Sequence, residues 1–130
     1  METTKQPLIT VVMPNYNGHR FVEQAIDSVL NQTYPNFELL VVDDCSKDDS
    51  LQLVQQKEQS DDRVRVIALE HNAGVANARN VGIKEAKGKF IALLDNDDLW
   101  TEDKLERQLA LANKGADIVY CSYDFIDEQN

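Results

Sequence analysis

The chain has 130 residues, of which 42% are hydrophobic, so it is long enough for one domain with a buried core. Its formal net charge of −10 argues against nucleic acid or an anionic membrane surface as a partner, because both attract basic patches. No apolar run reaches the roughly 18 residues of a membrane span and the amino terminus does not read as a signal peptide, so we expect a cytoplasmic protein.

Five short apolar runs rich in β-branched residues are predicted to be strands. The first, second and fourth runs are almost continuously apolar, which is typical of parallel strands covered on both faces. In chain order the runs are Leu8–Met13, Phe37–Val42, Val64–Leu69, Phe90–Leu94 and Ile118–Cys121.

The two segments that flank the second predicted strand are predicted to be helices. From Phe21 to Leu30, apolar residues recur at a spacing of three to four, which indicates a helix with one buried stripe. The other segment begins with Ser46 and Asp49, which fit a capping box, and we expect its helix to continue to about Gln59.

Two further helices are predicted on either side of the fourth strand. Residues 75–86 keep a helical period, and the small residues Ala78 and Gly82 predict close packing against the sheet. After the fourth strand, Thr101 is the expected N-cap of a helix whose apolar stripe runs from Leu105 to Ala112. This alternation predicts a single α/β domain over residues 1–130, with a mostly parallel sheet flanked by helices in a Rossmann-like nucleotide-binding arrangement.

Polar residues follow each of the first four predicted strands: "PNYN", "DDCS", "EHNAG" and "DNDD". In an open α/β sheet, ligands bind beyond the carboxyl ends of the strands, so we expect these segments to share one crevice. Neither a glycine-rich dinucleotide fingerprint nor a phosphate-binding P-loop is present, which argues against a Rossmann dehydrogenase or a P-loop enzyme.

Three carboxylates, Asp95, Asp97 and Asp98, follow the fourth strand within four residues. Two unit charges about 4 Å apart repel by roughly 4 kcal/mol at an effective dielectric constant near 20, so the cluster favours a cation. Carboxylate oxygens select Mg²⁺ or Mn²⁺, and such an ion lets an acidic protein bind a diphosphate. The structural alternative is a solvated turn that caps the next helix.

The other polar and aromatic candidates also have structural interpretations. Tyr16 fits an aromatic residue at the edge of the core, and Arg79 fits a surface charge on its helix. For His71 we prefer a solvated turn residue, and for Trp100 a packing anchor.

Two stretches of the chain, "ITVVMPNYNGHRFVEQAIDSVLNQTYPNFELLVVDDCSKDDS" and "NAGVANARNVGIKEAKGKFIALLDNDDLW", carry four motifs in a characteristic order. Over about residues 8–111 the chain resembles the glycosyltransferase family 2 nucleotide-diphospho-sugar transferases. The resemblance implies a GT-A fold, in which an amino-terminal half binds the sugar nucleotide and a carboxyl-terminal half binds the acceptor. We expect this chain to be the donor-binding half, with the acceptor half absent.

The resemblance also implies roles for the residues after the first two strands. In "PNYN", Pro14, Tyr16 and Asn17 are expected to line the nucleotide site, with Tyr16 near the base. In "VVDD", Asp43 and Asp44 are expected at the base and ribose, with Asp44 as the direct contact.

Further roles are implied for the helix and loop on either side of the fourth strand. Arg79 in "NARNVG" is expected near the base or the phosphates. In the DxD motif, Asp95 is expected to face the ribose and Asp97 to bind Mn²⁺ or Mg²⁺. Asp98 follows the motif and is expected to cap the next helix instead.

The implied reaction is an inverting transfer of a sugar from a nucleotide-diphosphate sugar, expected to be a UDP-sugar, to an acceptor hydroxyl in polysaccharide biosynthesis. The acceptor is expected to be a glycan or a lipid-linked glycan held by the missing half, with membrane association of the full-length protein. A carboxylate general base is expected beyond residue 130, so no catalytic residue is assigned and this chain alone is expected to be inactive.

Cys45 departs from the family pattern, which has a glycine at this position in "VVDDGS". A side chain makes a positive φ costlier there, so we expect a different turn after Asp44. Cys45 and Cys121 are too few for a disulfide framework or a zinc site, and both are expected to be free thiols.

Two alternatives to a glycosyltransferase remain open from the sequence. A haloacid-dehalogenase-like phosphatase would use Asp95 as nucleophile and Asp97 as general acid. Two features oppose it: Leu99 stands where that motif has threonine or valine, and the motif follows a late strand instead of an early one. The second alternative is a sugar-nucleotide-binding module without catalysis.

Overall fold

The computed structural model describes residues 6–113, which form an α/β layer structure around a four-stranded, fully parallel sheet. The strands lie in the order β3-β2-β1-β4. In chain order the elements are β1 (Ile9–Asn15), α1 (Val22–Leu30), β2 (Phe37–Asp43), α2 (Ser50–Ser60), β3 (Val64–Ala68), α3 (Val75–Glu85), β4 (Phe90–Leu93) and α4 (Lys104–Asn113). The predicted fifth strand, Ile118–Cys121, lies outside the described residues.

The sheet confirms the predicted α/β class with parallel strands. β1 pairs with β2 from Ile9 opposite Phe37 and with β4 from Ile9 opposite Phe90. Every residue of β1 is buried, as its continuous apolar sequence predicts for a central strand. The same expectation was wrong for β4, since Ile91 and Leu93 are 43% and 50% exposed. β4 is one of the two edge strands of the described sheet, so fewer neighbours cover its side chains.

Helix α3 packs directly on the central strand β1 because small residues let the two backbones approach. Ala78 and Gly82 are buried, and a Cβ placed on Gly82 would lie 2.4 Å from Cγ1 of Val12. Val12 itself has no exposed surface. The close packing predicted from these small residues is therefore confirmed.

Helix α2 begins later than predicted, at Ser50 instead of Ser46. The capping-box prediction was wrong because the Ser46 hydroxyl donates to Oδ1 of Asp43 at 2.7 Å. The Ser50 N–H instead donates to Oδ1 of Asp48 at 2.9 Å. A local contact to the end of β2 thus takes the hydroxyl that would have capped the helix, and residues 44–49 form a loop.

Helix α4 begins at Lys104, so Thr101 lies three residues before its first turn. The predicted N-cap role was wrong, since the Thr101 hydroxyl donates to Oδ1 of Asp103 at 3.1 Å. The side chain of Gln32 takes the capping role, because its Oε1 accepts from the Leu105 N–H at 3.0 Å. This contact ties the start of α4 to the end of α1.

Candidate functional site

An open cleft of about 480 Å³ lies where the carboxyl ends of the strands meet. Since all four strands are parallel, their following loops converge at one edge of the sheet. Six of the eight predicted donor-site and metal-site residues line this cleft: Pro14, Tyr16, Asp44, Arg79, Asp95 and Asp97. The other two, Asn17 and Asp43, are not among its lining residues.

Asn17 braces the loop between β2 and α2. Its Oδ1 accepts from the Lys47 N–H at 2.7 Å, and its own N–H donates to the Ser46 hydroxyl at 3.0 Å. The residue adopts a φ of 54°, a left-handed conformation that asparagine tolerates better than most residues. Asn17 therefore shapes the loop that borders the cleft.

Asp43 is 1% exposed and its carboxylate faces the protein interior. Oδ1 accepts from Nδ2 of Asn15 at 2.8 Å and from the Ser46 hydroxyl at 2.7 Å. Oδ2 accepts from the Ser46 N–H at 2.9 Å. These three bonds satisfy a buried charge and hold the ends of β1 and β2 together.

Asp44 borders the cleft and fixes the opposite loop. Its two carboxylate oxygens accept from the N–H groups of Ala73 and Gly74, both at 2.9 Å. Gly74 directly precedes α3 and has a φ of 99°, a backbone conformation that would be strained for any residue with a side chain. The carboxylate of Asp44 thus connects the end of β2 to the start of the helix that carries Arg79.

Arg79 and Asp95, which both line the cleft, form an ion pair with 2.6 Å between Nη2 of Arg79 and Oδ1 of Asp95. Both side chains remain partly exposed, at 36% and 45%. Nε of Arg79 is buried and has no hydrogen-bond partner within residues 6–113. A charged group with an unpaired donor therefore lies beside residues 95–98, the acidic loop that follows β4.

The acidic loop brings Asp95, Asp97 and Asp98 together, with one carboxylate oxygen from each lying within 4.8 Å of the others. Burial, followed by repulsion from Asp97 and Asp95, raises the pKa of the Asp98 carboxyl above its ordinary value, although Lys104 opposes the rise. Asp98 lies six residues before α4, so its expected role as the helix cap was wrong. It belongs to the acidic cluster.

The structure shows the surroundings of three ring-bearing side chains, those of Tyr16, His71 and Trp100. Tyr16 is 45% exposed and lines the cleft, so its ring is available to a ligand. Trp100 packs against the hydrophobic core, and His71 is exposed in the turn after β3. The predictions of a packing anchor and a solvated turn residue are confirmed.

Sequence reasoning missed Asn15 and Asn96, which join the end of β1 to the acidic loop. Nδ2 of Asn96 donates to Oδ1 of Asn15 at 2.7 Å, and Asn15 is 1% exposed. The sequence offered one signal, because Pro14 and Asn15 directly follow the apolar run of β1. In the structure both residues belong to that strand and are buried. An asparagine at the buried end of a central strand needs polar partners.

Cys45 adopts a φ of 63°, so the expected change of turn at this position was wrong. A side chain in this left-handed conformation costs about 1–2 kcal/mol. Glycine avoids that cost, but it makes the unfolded chain more flexible, and this entropy offsets part of the gain in stability. We therefore expect Cys45→Gly to raise the free energy of unfolding by about 0.5–1 kcal/mol. Urea denaturation measures this change. Cys45→Ala keeps the Cβ and should show no gain; an equal gain in both variants would contradict backbone strain as the cause.

The chain matches the family model described as "Glycosyl transferase family 2" over residues 10–130. It is 45% identical over 107 residues to TuaG of Bacillus subtilis (strain 168), which is named as a glycosyltransferase of teichuronic acid biosynthesis. It is 41% identical over 124 residues to the Escherichia coli protein WfgD, named as a UDP-Glc:α-D-GlcNAc-diphosphoundecaprenol β-1,3-glucosyltransferase. These matches cover 82% and 95% of the chain but only 42% and 48% of the relatives, so the chain spans less than half of their length.

Solved structures with the same fold include S. aureus TarS 1-349 in complex with UDP-GlcNAc, with a TM-score of 0.76 and 33% identity. The Pyrobaculum calidifontis mannosyltransferase PcManGT, in complex with GDP-Man and Mn²⁺, gives a TM-score of 0.76 and 28% identity. Both comparisons cover 82% of this chain, and 31% and 32% of the respective neighbours. None of the matches described here supports the phosphatase alternative.

Proposed function

The chain belongs to glycosyl transferase family 2, and we propose that it forms the donor- and metal-binding part of an inverting glycosyltransferase. The protein would transfer a sugar from a nucleotide-diphosphate sugar to an acceptor hydroxyl. The observation that carries the proposal is the cleft itself, which brings Tyr16, Asp44, Arg79 and the acidic loop to one edge of the sheet.

The acidic cluster fits a hard divalent cation. Asp95, Asp97 and Asp98 offer only carboxylate oxygens, the donor type that Mn²⁺ and Mg²⁺ prefer. The pKa of the Asp98 carboxyl is raised by burial and then by repulsion from Asp97 and Asp95, and a bound cation would relieve that repulsion. We propose Asp97 as the metal ligand, since Asp95 is already paired with Arg79. When bound, the cation would offset the negative charge of the departing diphosphate.

Arg79 has the position and chemistry to bind the diphosphate. Its guanidinium pairs with Asp95 at the cleft, and its buried Nε has no partner within the described residues. A guanidinium can hold a carboxylate on one edge and a phosphate on another, because its donors point in fixed, separate directions. We propose that Arg79 contacts the phosphates while Asp95 accepts a hydrogen bond from a ribose hydroxyl.

The base would lie against Pro14, Tyr16 and Asp44, and the ribose would lie between these residues and Asp95. The exposed ring of Tyr16 offers a face for stacking. Each oxygen of Asp44 uses one lone pair on a backbone N–H and keeps another for a donor on the base. Asn17 and Asp43 would act behind this surface, by bracing the loop between β2 and α2.

We propose a UDP-sugar as the donor, because WfgD is named for UDP-Glc and TarS was solved with UDP-GlcNAc. The less similar PcManGT was solved with GDP-Man, so a guanosine nucleotide is the competing choice. A glycan or lipid-linked acceptor, as in the name of WfgD, and a cytoplasmic location belong to the same proposal. No helix among residues 6–113 is both long and apolar enough to cross a membrane.

Calorimetric titration of the 130-residue chain with UDP, in Mn²⁺ and then in EDTA, tests the donor site. We expect UDP to bind at least about tenfold more tightly with Mn²⁺ than without it, and GDP to bind more weakly than UDP. Fluorescence of Trp100, which follows the acidic loop in sequence, provides a second readout. The donor-site proposal fails if neither nucleotide binds in the presence of Mn²⁺. Tighter binding of GDP would overturn only the choice of nucleotide.

A further inference from the structure

The side-chain amide of Asn15 has a fixed orientation in the interior of the protein. Nδ2 donates to Oδ1 of Asp43 at 2.8 Å and to the Ser50 hydroxyl at 3.0 Å, while Oδ1 accepts from Nδ2 of Asn96 at 2.7 Å. A flipped amide would place its oxygen against the Asp43 carboxylate and would also lose the bond from Asn96. The surrounding partners therefore present the Asn15 oxygen to the acidic loop.

Asn96 is the middle residue of the Asp95-Asn96-Asp97 motif. The backbone of the preceding strand still follows β1 at Leu94, whose N–H donates to the Val12 carbonyl at 3.0 Å. Past this point the chain turns, and the Asp98 N–H donates to the Asp95 carbonyl at 3.1 Å. The bond from Asn96 to Asn15 ties this turn to the rigid end of β1.

Gly18 leaves the space that this hydrogen bond occupies. A Cβ on Gly18 would lie 2.3 Å from Nδ2 of Asn96 and 2.4 Å from Oδ1 of Asn15. Such distances are far shorter than a normal contact, so any side chain at residue 18 would displace one of the two amides. The hydrogen bond therefore depends on three separate segments, because Asn15 and Asn96 supply the two amides and Gly18 leaves room for them.

We propose that Asn15 and Asn96 are positioning residues for the acidic loop, and that their hydrogen bond sets where the carboxylates of Asp95 and Asp97 point. Neither asparagine touches reacting atoms in this scheme. The inference rests on the proposed function, because carboxylate placement matters for a cation and a diphosphate. Partners that orient metal-binding side chains in this way commonly change metal affinity by about 10- to 100-fold when they are removed.

Amide hydrogen exchange in the free protein measures loop positioning without any ligand. In Asn96→Ala we expect the Asp98 amide to exchange about tenfold faster than in the wild type, as for the loss of one hydrogen bond that holds the turn. Asn96 is only partly buried, so this variant should remain folded. Asn80→Ala, on the exposed face of α3, serves as the matched control and should leave this amide unchanged. Unchanged exchange in Asn96→Ala would overturn the inference.

Nucleotide binding provides the second readout. We expect Asn96→Ala to bind UDP in Mn²⁺ about tenfold more weakly than the wild type, while uridine without metal binds equally well to both. Asn96→Asp has nearly the same shape but replaces the donor with a charged acceptor. We expect it to weaken the Mn²⁺-dependent binding too, although a purely electrostatic effect of the added charge would strengthen it.

These outcomes separate the inference from the proposed function. If Asn96→Ala speeds exchange but the wild type does not bind UDP with Mn²⁺, the loop-positioning role stands and the proposed function fails. If the wild type binds and Asn96→Ala binds just as tightly, the inference is overturned and the proposed function stands. Tighter metal-dependent binding by Asn96→Asp would likewise overturn the hydrogen-bond account.

Discussion

Replacing Asp97 by asparagine should weaken the Mn²⁺-dependent binding of UDP by on the order of 100-fold, or about 2.7 kcal/mol. The substitution keeps the side-chain shape but removes one negative charge from a cluster whose oxygens lie within 4.8 Å of one another. At an effective dielectric constant near 20, a single charge at about 4 Å from a cation contributes several kcal/mol, part of which is returned through desolvation. Calorimetry with UDP and Mn²⁺ measures the loss.

A matched control for the Asp97 variant removes the same charge from a site outside the cleft. Asp62 is exposed in the turn before β3, at the opposite end of the strand from the cleft. Asp62→Asn should bind UDP and Mn²⁺ as the wild type does. If both variants lose the same affinity, the effect comes from net charge, and Asp97 is not the metal ligand.

Replacing Gly82 by leucine should lower the free energy of unfolding by at least about 2 kcal/mol. The first added atom would already lie 2.4 Å from Cγ1 of Val12, and the rest of the side chain has to displace α3 from the fully buried centre of β1. Overpacking costs about 1–3 kcal/mol and sometimes more, and a contact this short belongs at or above the upper end of that range. The gain in helix propensity is about 1 kcal/mol, so a net loss of at least about 2 kcal/mol remains. Chemical denaturation followed by circular dichroism gives the difference.

Ala76→Leu is the control for the Gly82 variant, because it adds a similar side chain to an exposed position of the same helix. We expect its stability to stay within about 0.5 kcal/mol of the wild type. A wild-type stability for Gly82→Leu would show that the sheet accommodates a larger residue beneath α3. The close contact between Val12 and Gly82 would then make no measurable contribution to the free energy of unfolding.

β1 and β2 could be predicted well because their sequences reflect their burial, whereas the same apolar pattern in β4 accompanies partly exposed side chains. β1 and β2 are apolar at almost every position, which few structures other than a covered parallel strand require. The helix starts were harder because a cap depends on what else its side chain can reach. Ser46 resembles a cap in sequence, but Asp43, brought close by the end of β2, takes its hydroxyl.

The candidate site was predictable in outline, since the carboxyl ends of parallel strands must share one edge of the sheet. The separate orientations of Asp43 and Asp44 were not, because two adjacent carboxylates read alike in a sequence. In the fold they follow the alternation of the strand: Asp43 turns toward the buried Asn15, and Asp44 borders the cleft. The link between Asn15 and Asn96 joins residues 81 positions apart, so no local pattern reveals it.

The pairing of β4 with β1 also determines when the proposed donor site can form. Ile9 meets Phe37 of β2 after 28 positions of chain, but it meets Phe90 of β4 only after 81. Closing the longer loop costs more chain entropy, and during synthesis β4 leaves the ribosome after the other three strands. The loop that carries Asp95 and Asp97 follows β4 directly, so the proposed donor site is complete only when the last strand of the described sheet has paired with β1.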